Sequence, residues 1–214
     1  MKETLEGPPV MPNSEGQSDL ITLERRSFLA KSALAVTGLV ASTSVSSGFL
    51  FRTSRPLDLG FLPSAWVKKE GERQVQAYGE YLASLRLKFV TPQQVLKAHA
   101  RQKGSVWNSL PERHSWRSMG ASLKVADRVG ATLGMPVKEV TSAYRSPSYN
   151  RRCPGAKPNS WHMRNYALDL QYGTSPRNVA AVARKLRDQG YFKGGVGRYS
   201  SFTHIDSRGS NADW

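Results

Sequence analysis

Two short segments near the end of this 214-residue chain place ionisable side chains inside strand-like hydrophobic patterns. They read YALDLQY over residues 166–172 and FTHID over residues 202–206. Because side chains alternate between the two faces of a strand, Asp169 faces away from its leucine neighbours, and His204 shares a face with Asp206. Aspartate is depleted in strands, and a buried carboxylate needs a partner. We therefore expect neighbouring strands that bring a carboxylate and an imidazole to one place.

His162, in the loop before the first of these strands, completes a candidate metal site. Histidine and aspartate are zinc ligands, and three protein ligands with an open fourth position are typical of catalytic zinc sites. If His162, Asp169 and His204 converge, the chain is predicted to be a zinc hydrolase. A lone histidine is more often a hydrogen-bonded structural residue, and we interpret His99 and His114, outside this pattern, in that way.

Hydrophobic periodicity around these residues predicts a compact α+β unit over residues 115–214. The expected elements are a helix over residues 119–133, strands over residues 137–144, 166–172 and 202–206, and a helix over residues 176–190. The glycine cluster at residues 194–197 lacks the lysine and Ser/Thr of a phosphate loop. It therefore gives no indication of nucleotide binding.

The chain before this unit is predicted to contain a linker over residues 51–72 and a helical accessory segment over residues 73–114. Within that segment, Thr91 is the expected N-cap of a helix whose first position is Pro92. Residues 104–114 are expected to form a loop.

Residues 1–50 are predicted to be a disordered N-terminus followed by a twin-arginine export signal. Arg25 and Arg26 precede a Phe-Leu pair and the mildly apolar run from Ala33 to Leu50, which is the order typical of such signals. A chance arginine pair before a buried helix is the alternative. Because no clear cleavage site is present, the pattern permits a cleaved signal or an uncleaved membrane anchor. The predicted location is the periplasm, the cell envelope or the exterior.

The formal net charge of +15 is high for this length. Such a charge attracts polyanions, which include nucleic acid, anionic lipid and an acidic cell wall. We expect no nucleic-acid partner, because the sequence has no recognised binding motif and the export signal argues against one. Cys153 is the single cysteine, so an internal disulfide and a CxxC zinc site are both excluded. The chain is expected to be a monomer.

Three motifs, in order along roughly residues 115–214, resemble the zinc D-alanyl-D-alanine carboxypeptidase family. Ser160-x-His162 followed by Ala167-x-Asp169 resembles the family signature S-x-H-x-x-G-x-A-x-D. The upstream SAYRSP at residues 142–147 is similar to its S-x-Y-R-S-P turn. The downstream segment from Gly195 to Trp214, which includes FTHID, resembles the end of the peptidase subgroup.

The resemblance implies a small antiparallel sheet with flanking helices, a fold shared with the hedgehog signalling domain. It implies that His162, Asp169 and His204 bind Zn²⁺. It also implies that Arg145 holds the substrate or polarises its carbonyl, for which a guanidinium is suited by its bidentate pairing with carboxylates. A turn-stabilising arginine is the alternative. Tyr144 and Ser160 are expected to line the substrate site, and Ser160 alternatively to support the loop.

Two features depart from the family pattern. The signature glycine is replaced by Asn165, and asparagine tolerates a left-handed backbone better than most residues. Ser201 and Phe202 occupy the positions where some relatives carry a general base. Asp206 is the nearest carboxylate on the correct strand face, so we predict it as the base, with support of a ligand as its alternative role.

These expectations together predict an exported metallopeptidase that hydrolyses D-alanine-containing peptide bonds of peptidoglycan, as a carboxypeptidase or an endopeptidase. The alternative is a non-catalytic cell-wall-binding module that keeps the fold, with or without the metal.

Overall fold

A computed structural model describes residues 56–214 of the chain. The predicted export signal lies outside the described residues. Among the described helices, none is both long enough and apolar enough to cross a membrane.

The helices precede and flank a sheet of short strands. In chain order, the elements are α1 (Ser64–Glu70), α2 (Glu72–Ser84), α3 (Pro92–His99), β1 (Gln102–Lys103), β2 (Val106–Trp107), a 3₁₀ turn (Arg113–Ser115), α4 (Trp116–Leu133), β3 (Val137–Ser142), α5 (Pro147–Asn150), β4 (Ala167–Tyr172), α6 (Pro176–Asp188), β5 (Gly195–Arg198), β6 (Thr203–Asp206) and β7 (Ala212–Asp213). The predicted helix starting at residue 119 begins three positions earlier, at Trp116.

The main sheet has five strands in the order β3-β4-β6-β5-β7. All neighbouring pairs are antiparallel except β5 and β7. Strands β1 and β2 form a separate antiparallel hairpin. The predicted α+β fold, with a small antiparallel sheet, flanking helices and a preceding helical segment, is confirmed.

Helix α3 shows how local chemistry fixes an element boundary. Thr91 is its N-cap, as predicted, and Pro92 is its first residue. The Thr91 hydroxyl accepts a hydrogen bond from the Gln94 amide, and the Gln94 side chain accepts one from the Thr91 amide. This reciprocal pair satisfies two backbone donors that the helix itself leaves free.

One connected hydrophobic core joins the sheet to the helices that precede it. The sheet and α4 contribute Leu123, Leu168 and Ile205, which have no exposed surface. The N-terminal helices contribute the equally buried Trp66 and Leu96 to the same cluster. Helices α1 to α3 therefore share the core that supports the sheet.

The predicted linker over residues 51–72 contains helix α1, which the sequence interpretation did not anticipate. Trp66 on this helix is fully buried, and its indole N–H donates to the Asn108 carbonyl at 2.9 Å. The helix has only seven residues, of which Trp66 alone is buried, so it shows no hydrophobic periodicity.

The hairpin formed by β1 and β2, residues 102–107, overlaps the start of the loop predicted over residues 104–114.

Candidate metal centre

A row of paired residues crosses the sheet and forms the base of the site. Asp169 on β4 pairs with Ser142 on β3 and with His204 on β6. His204 in turn pairs with Gly197 on β5. The strand register therefore places the carboxylate and the imidazole on one face of the sheet.

His162 reaches this face from the loop before β4. The loop turns back at Asn165, which has a φ of 61°. Its side-chain amide donates to the Ser115 carbonyl at 2.9 Å. The expectation that asparagine replaces the signature glycine in a left-handed conformation is confirmed.

The three side chains converge as the sequence predicted. His162 Nε2 lies 3.2 Å from Asp169 Oδ1, and His204 Nδ1 lies 2.9 Å from the same oxygen. One ligand atom from each of the three residues lies within 4.8 Å of the others, and all three residues are buried. This arrangement could hold a metal ion.

Hydrogen bonds on the far side of each ring fix which nitrogen faces the site. His162 Nδ1 lies 2.6 Å from the Ala143 carbonyl oxygen, so this nitrogen carries the proton and Nε2 is left with a lone pair. His204 Nε2 lies 3.0 Å from Asp206 Oδ2, which leaves Nδ1 directed at Asp169. Metal-binding histidines generally donate their second N–H to a carbonyl or carboxylate. The donor set therefore fits a metal ion such as zinc.

Burial and charge act in opposite directions on the pKa values of the site. Burial lowers the pKa of His162, although Asp169 partly opposes this effect. For His204, burial also lowers the pKa, but hydrogen bonds to Asp169 and Asp206 outweigh it and raise the pKa above its usual value. Burial would raise the pKa of Asp169, yet its two histidine partners hold it well below the usual range. Because a ligand nitrogen must lose its proton, metal and protons compete at His204.

The predicted role of Asp206 as general base is not supported by its surroundings. Its carboxylate is fully buried and pairs with the guanidinium of Arg208. It also accepts a hydrogen bond from the Gly195 amide at 3.0 Å. Asp206 lies against the His204 nitrogen that faces away from Asp169, where it can orient the ring. The alternative role, support of a ligand, fits this geometry.

Arg145 lies beside the centre, on the β3 side. Its Nη2 donates to Asp169 Oδ2 at 2.6 Å, and its Nε donates to the Ser142 hydroxyl at 2.7 Å. The side chain is 15% exposed, so part of the guanidinium can meet a ligand. The predicted roles in catalysis and substrate binding are compatible with this position.

Ser160 and Tyr144, the two remaining residues predicted to line the substrate site, contact other side chains and the backbone of the protein. The Ser160 hydroxyl accepts a hydrogen bond from the His162 amide at 3.3 Å, which supports the loop as the alternative interpretation expected. The Tyr144 ring lies near His99, with 6.4 Å between ring centroids. Burial raises the pKa of Tyr144, and the nearby Glu112 and Glu70 add to this effect. The proposed substrate contacts of both residues stay predictions.

Two side chains near the site were not assigned roles from the sequence. Arg208 neutralises Asp206, and the Trp214 ring packs against His204 with 5.1 Å between centroids. The spacing of Arg208 two residues after Asp206 could have indicated the first contact. Nothing local in the sequence indicates the second, because His204 lies on β6 and Trp214 follows β7, and only the folded sheet brings them together.

Comparison with known proteins agrees with this geometry. A profile of the family described as Peptidase M15 matches residues 90–206, which is more than half of the chain and includes all three converging residues. Searches of curated proteins and of solved structures gave no significant match. Peptidases of this family depend on zinc. The buried His-Asp-His cluster and the extent of the match lead to one conclusion: the chain belongs to the Peptidase M15 family.

Proposed function

We propose that this protein is a zinc metallopeptidase that hydrolyses D-alanine-containing peptide bonds of peptidoglycan. The observation that carries the proposal is the convergence of His162 Nε2, Asp169 Oδ1 and His204 Nδ1 in a family of peptidases. Zinc held by these atoms would polarise a carbonyl and allow water to ionise near a pH of about 7.

The residues around the metal centre would orient its ligands. Asp206 accepts a hydrogen bond from His204 Nε2–H, which keeps the Nδ1 lone pair directed towards Asp169. Arg145 holds the second oxygen of Asp169, which leaves Oδ1 free to face the two rings. Such partners fix ligand orientation and raise ligand basicity.

Arg145 would also act on the substrate. A guanidinium can pair with a terminal carboxylate through two parallel hydrogen bonds, or stabilise negative charge that develops on a carbonyl oxygen. A peptide that ends in D-alanine offers both groups close to the scissile bond. Sequence similarity to D-alanyl-D-alanine carboxypeptidases in the motifs around Arg145, His162 and His204 supports this substrate class.

The cell envelope is the proposed location. The Arg25-Arg26 pair and the apolar run that follows it support twin-arginine export. The net charge of +15 suits an anionic envelope. Export of folded protein would let the enzyme acquire its metal before translocation.

Metal content and peptidase activity, measured together, test the proposal. The full chain expressed with zinc should contain stoichiometric metal and release D-alanine from muropeptides, whereas His162→Ala should lose both. His114→Ala is the matched control, because this histidine is exposed and lies outside the site. Full activity in a metal-free His162→Ala variant would contradict the mechanism.

The environment of Asp206 supports a second candidate function, a cell-wall-binding module without catalysis. Because Asp206 is paired with Arg208 and His204, it is poorly placed to accept the proton that the attacking water releases during hydrolysis. A cell-wall-binding module that retains the metal would bind stoichiometric zinc and muropeptides without turnover. That combination of results would favour the non-catalytic function.

A further inference from the structure

We infer that Trp214 forms the binding surface for the acyl-side residue of the substrate, on the side of the metal centre opposite Arg145. This inference rests on the proposed function and adds a specificity-determining residue to it. Trp214 is 45% exposed and packs against His204. An exposed indole beside a metal-binding histidine is a surface that the substrate can contact.

The row of paired residues across the sheet determines where substrate can lie. The row runs from Ser142 through Asp169 and His204 to Gly197. At one end of the row, Arg145 donates a hydrogen bond to the Ser142 hydroxyl. The Trp214 indole lies over Gly197 at the other end. A peptide lying along this row meets a cation first, then the metal ligands, then an aromatic ring.

Gly197 makes room for the indole. A Cβ atom at this position would lie 2.4 Å from Trp214 Nε1 and Cε2, which is far inside van der Waals contact. Any larger residue at position 197 would therefore displace the ring from His204. The absence of a side chain here lets Trp214 reach the metal centre.

A pair of arginines holds the backbone that carries Trp214. Arg187 is buried and donates to Asp213 Oδ2 at 2.6 Å and to the Ala212 carbonyl at 3.0 Å. Arg184 donates to the other oxygen of Asp213 at 2.7 Å. The Trp214 carbonyl then accepts a hydrogen bond from the Arg198 amide at 2.9 Å. These contacts give the exposed indole a defined position.

The polar groups on and around the indole already have partners. Its N–H donates to the Tyr199 hydroxyl at 2.9 Å, so the polar atom of the ring is already satisfied. The Arg208 guanidinium lies 5.3 Å from the ring centroid, but its charge is paired with Asp206. The remaining surface therefore suits an uncharged aliphatic group.

The charge difference between the two ends orients the substrate. Arg145 suits the terminal carboxylate of the leaving amino acid, because guanidinium and carboxylate pair strongly. The carbonyl of the scissile bond then lies at the metal ligands, and the residue that supplies it lies towards Trp214. For a peptide ending in D-alanyl-D-alanine, the indole would contact the methyl group of the penultimate D-alanine.

Kinetics of zinc-loaded full-length variants on a synthetic peptide ending in D-alanyl-D-alanine test this assignment. Trp214→Ala should raise KM about tenfold with kcat little changed, because it removes a contact that the substrate makes equally in the ground state and in the transition state. Gly197→Ala should do the same by displacing the ring. The double variant should resemble Trp214→Ala alone, because the added methyl group has no ring left to displace. Zinc content should stay stoichiometric in all three.

A change in the substrate provides the second arm. Replacing the penultimate D-alanine by glycine removes one methyl group, worth about fourfold in KM if it is fully buried. The parent should show this increase, and Trp214→Ala should not. Tyr191→Ala, which removes an exposed aromatic ring from the loop after α6, is the matched control and should behave as the parent.

The outcomes separate this inference from the function on which it rests. Absence of turnover by the zinc-loaded parent would overturn the proposed function and this inference together. Turnover by the parent with an unchanged KM in Trp214→Ala would overturn this inference alone. An equal effect of the glycine substitution in parent and Trp214→Ala would assign the methyl group to another surface and would also overturn it.

Discussion

Asp206 lies behind His204: its Oδ2 is 3.0 Å from His204 Nε2, while His204 Nδ1 is directed at Asp169 Oδ1, 2.9 Å away. The imidazole therefore separates the Asp206 carboxylate from the position where a metal ion would bind. Arg208 compensates the charge of Asp206. Burial would raise the pKa of this carboxyl, but its hydrogen bonds with Arg208, His204 and the Gly195 amide hold the pKa far below its usual range. Asp206 is thus suited to orient a ligand.

The exchange Asp206→Asn tests this role. Loss of the carboxylate should weaken zinc affinity by about 10–100-fold, which is the usual effect of removing a partner of a metal-ligating histidine. Competition with a chelator measures this affinity. If Asp206 acted as general base, zinc affinity would be unchanged while kcat fell sharply.

Arg145 is expected to act mainly on the substrate. Arg145→Ala should lower kcat/KM by about 100-fold, comparable with removal of one donor to a developing oxyanion. Zinc content should fall much less than in His162→Ala. The alternative, that Arg145 only orients Asp169 through its 2.6 Å hydrogen bond, requires zinc affinity and activity to fall in parallel.

Helix α1 should be essential for stability. Trp66→Ala should lower the free energy of unfolding by roughly 3–5 kcal/mol, because it leaves a cavity in a fully buried site. It also removes the hydrogen-bond donor of the Asn108 carbonyl. Chemical denaturation measures the difference. Trp66→Phe should lower the free energy of unfolding by less than Trp66→Ala, because it loses the same hydrogen bond but keeps most of the apolar contact. A change below about 1 kcal/mol in Trp66→Ala would contradict the shared core.

His99 should make the fold sensitive to acid. This fully buried ring lies 3.2 Å from the Tyr78 hydroxyl, and burial lowers its pKa to about 3. Below its ordinary pKa the unfolded chain binds a proton that the folded chain does not, so stability falls as pH falls. The slope between about pH 6.5 and pH 3 should reach roughly 1.4 kcal/mol per pH unit from this group.

Denaturation curves over this pH range, compared between the parent and His99→Gln, isolate the contribution of His99. The variant should be less stable at neutral pH but should lose stability less steeply on acidification. His114→Gln is the control, because its side chain is exposed, and it should follow the parent. Parallel curves for parent and His99→Gln would show that His99 does not govern the acid response.

Local patterns in the sequence determined much of the fold and the identity of the converging residues. Alternation placed Asp169 and His204 on defined strand faces, Thr91 marked a helix start, and asparagine at position 165 was compatible with a left-handed turn. These features depend on backbone sterics and on hydrogen bonds between residues close in sequence, so they can be read without knowledge of the rest of the chain.

Only the tertiary structure decided how distant groups face one another. The position of Asp206 behind His204, the burial of Trp66, and the packing of Trp214 over Gly197 all depend on contacts between separate elements. Periodicity gives the face on which a side chain lies. It does not show which ring nitrogen contacts which carboxylate oxygen, because strand register and packing set these contacts, and both are properties of the whole fold.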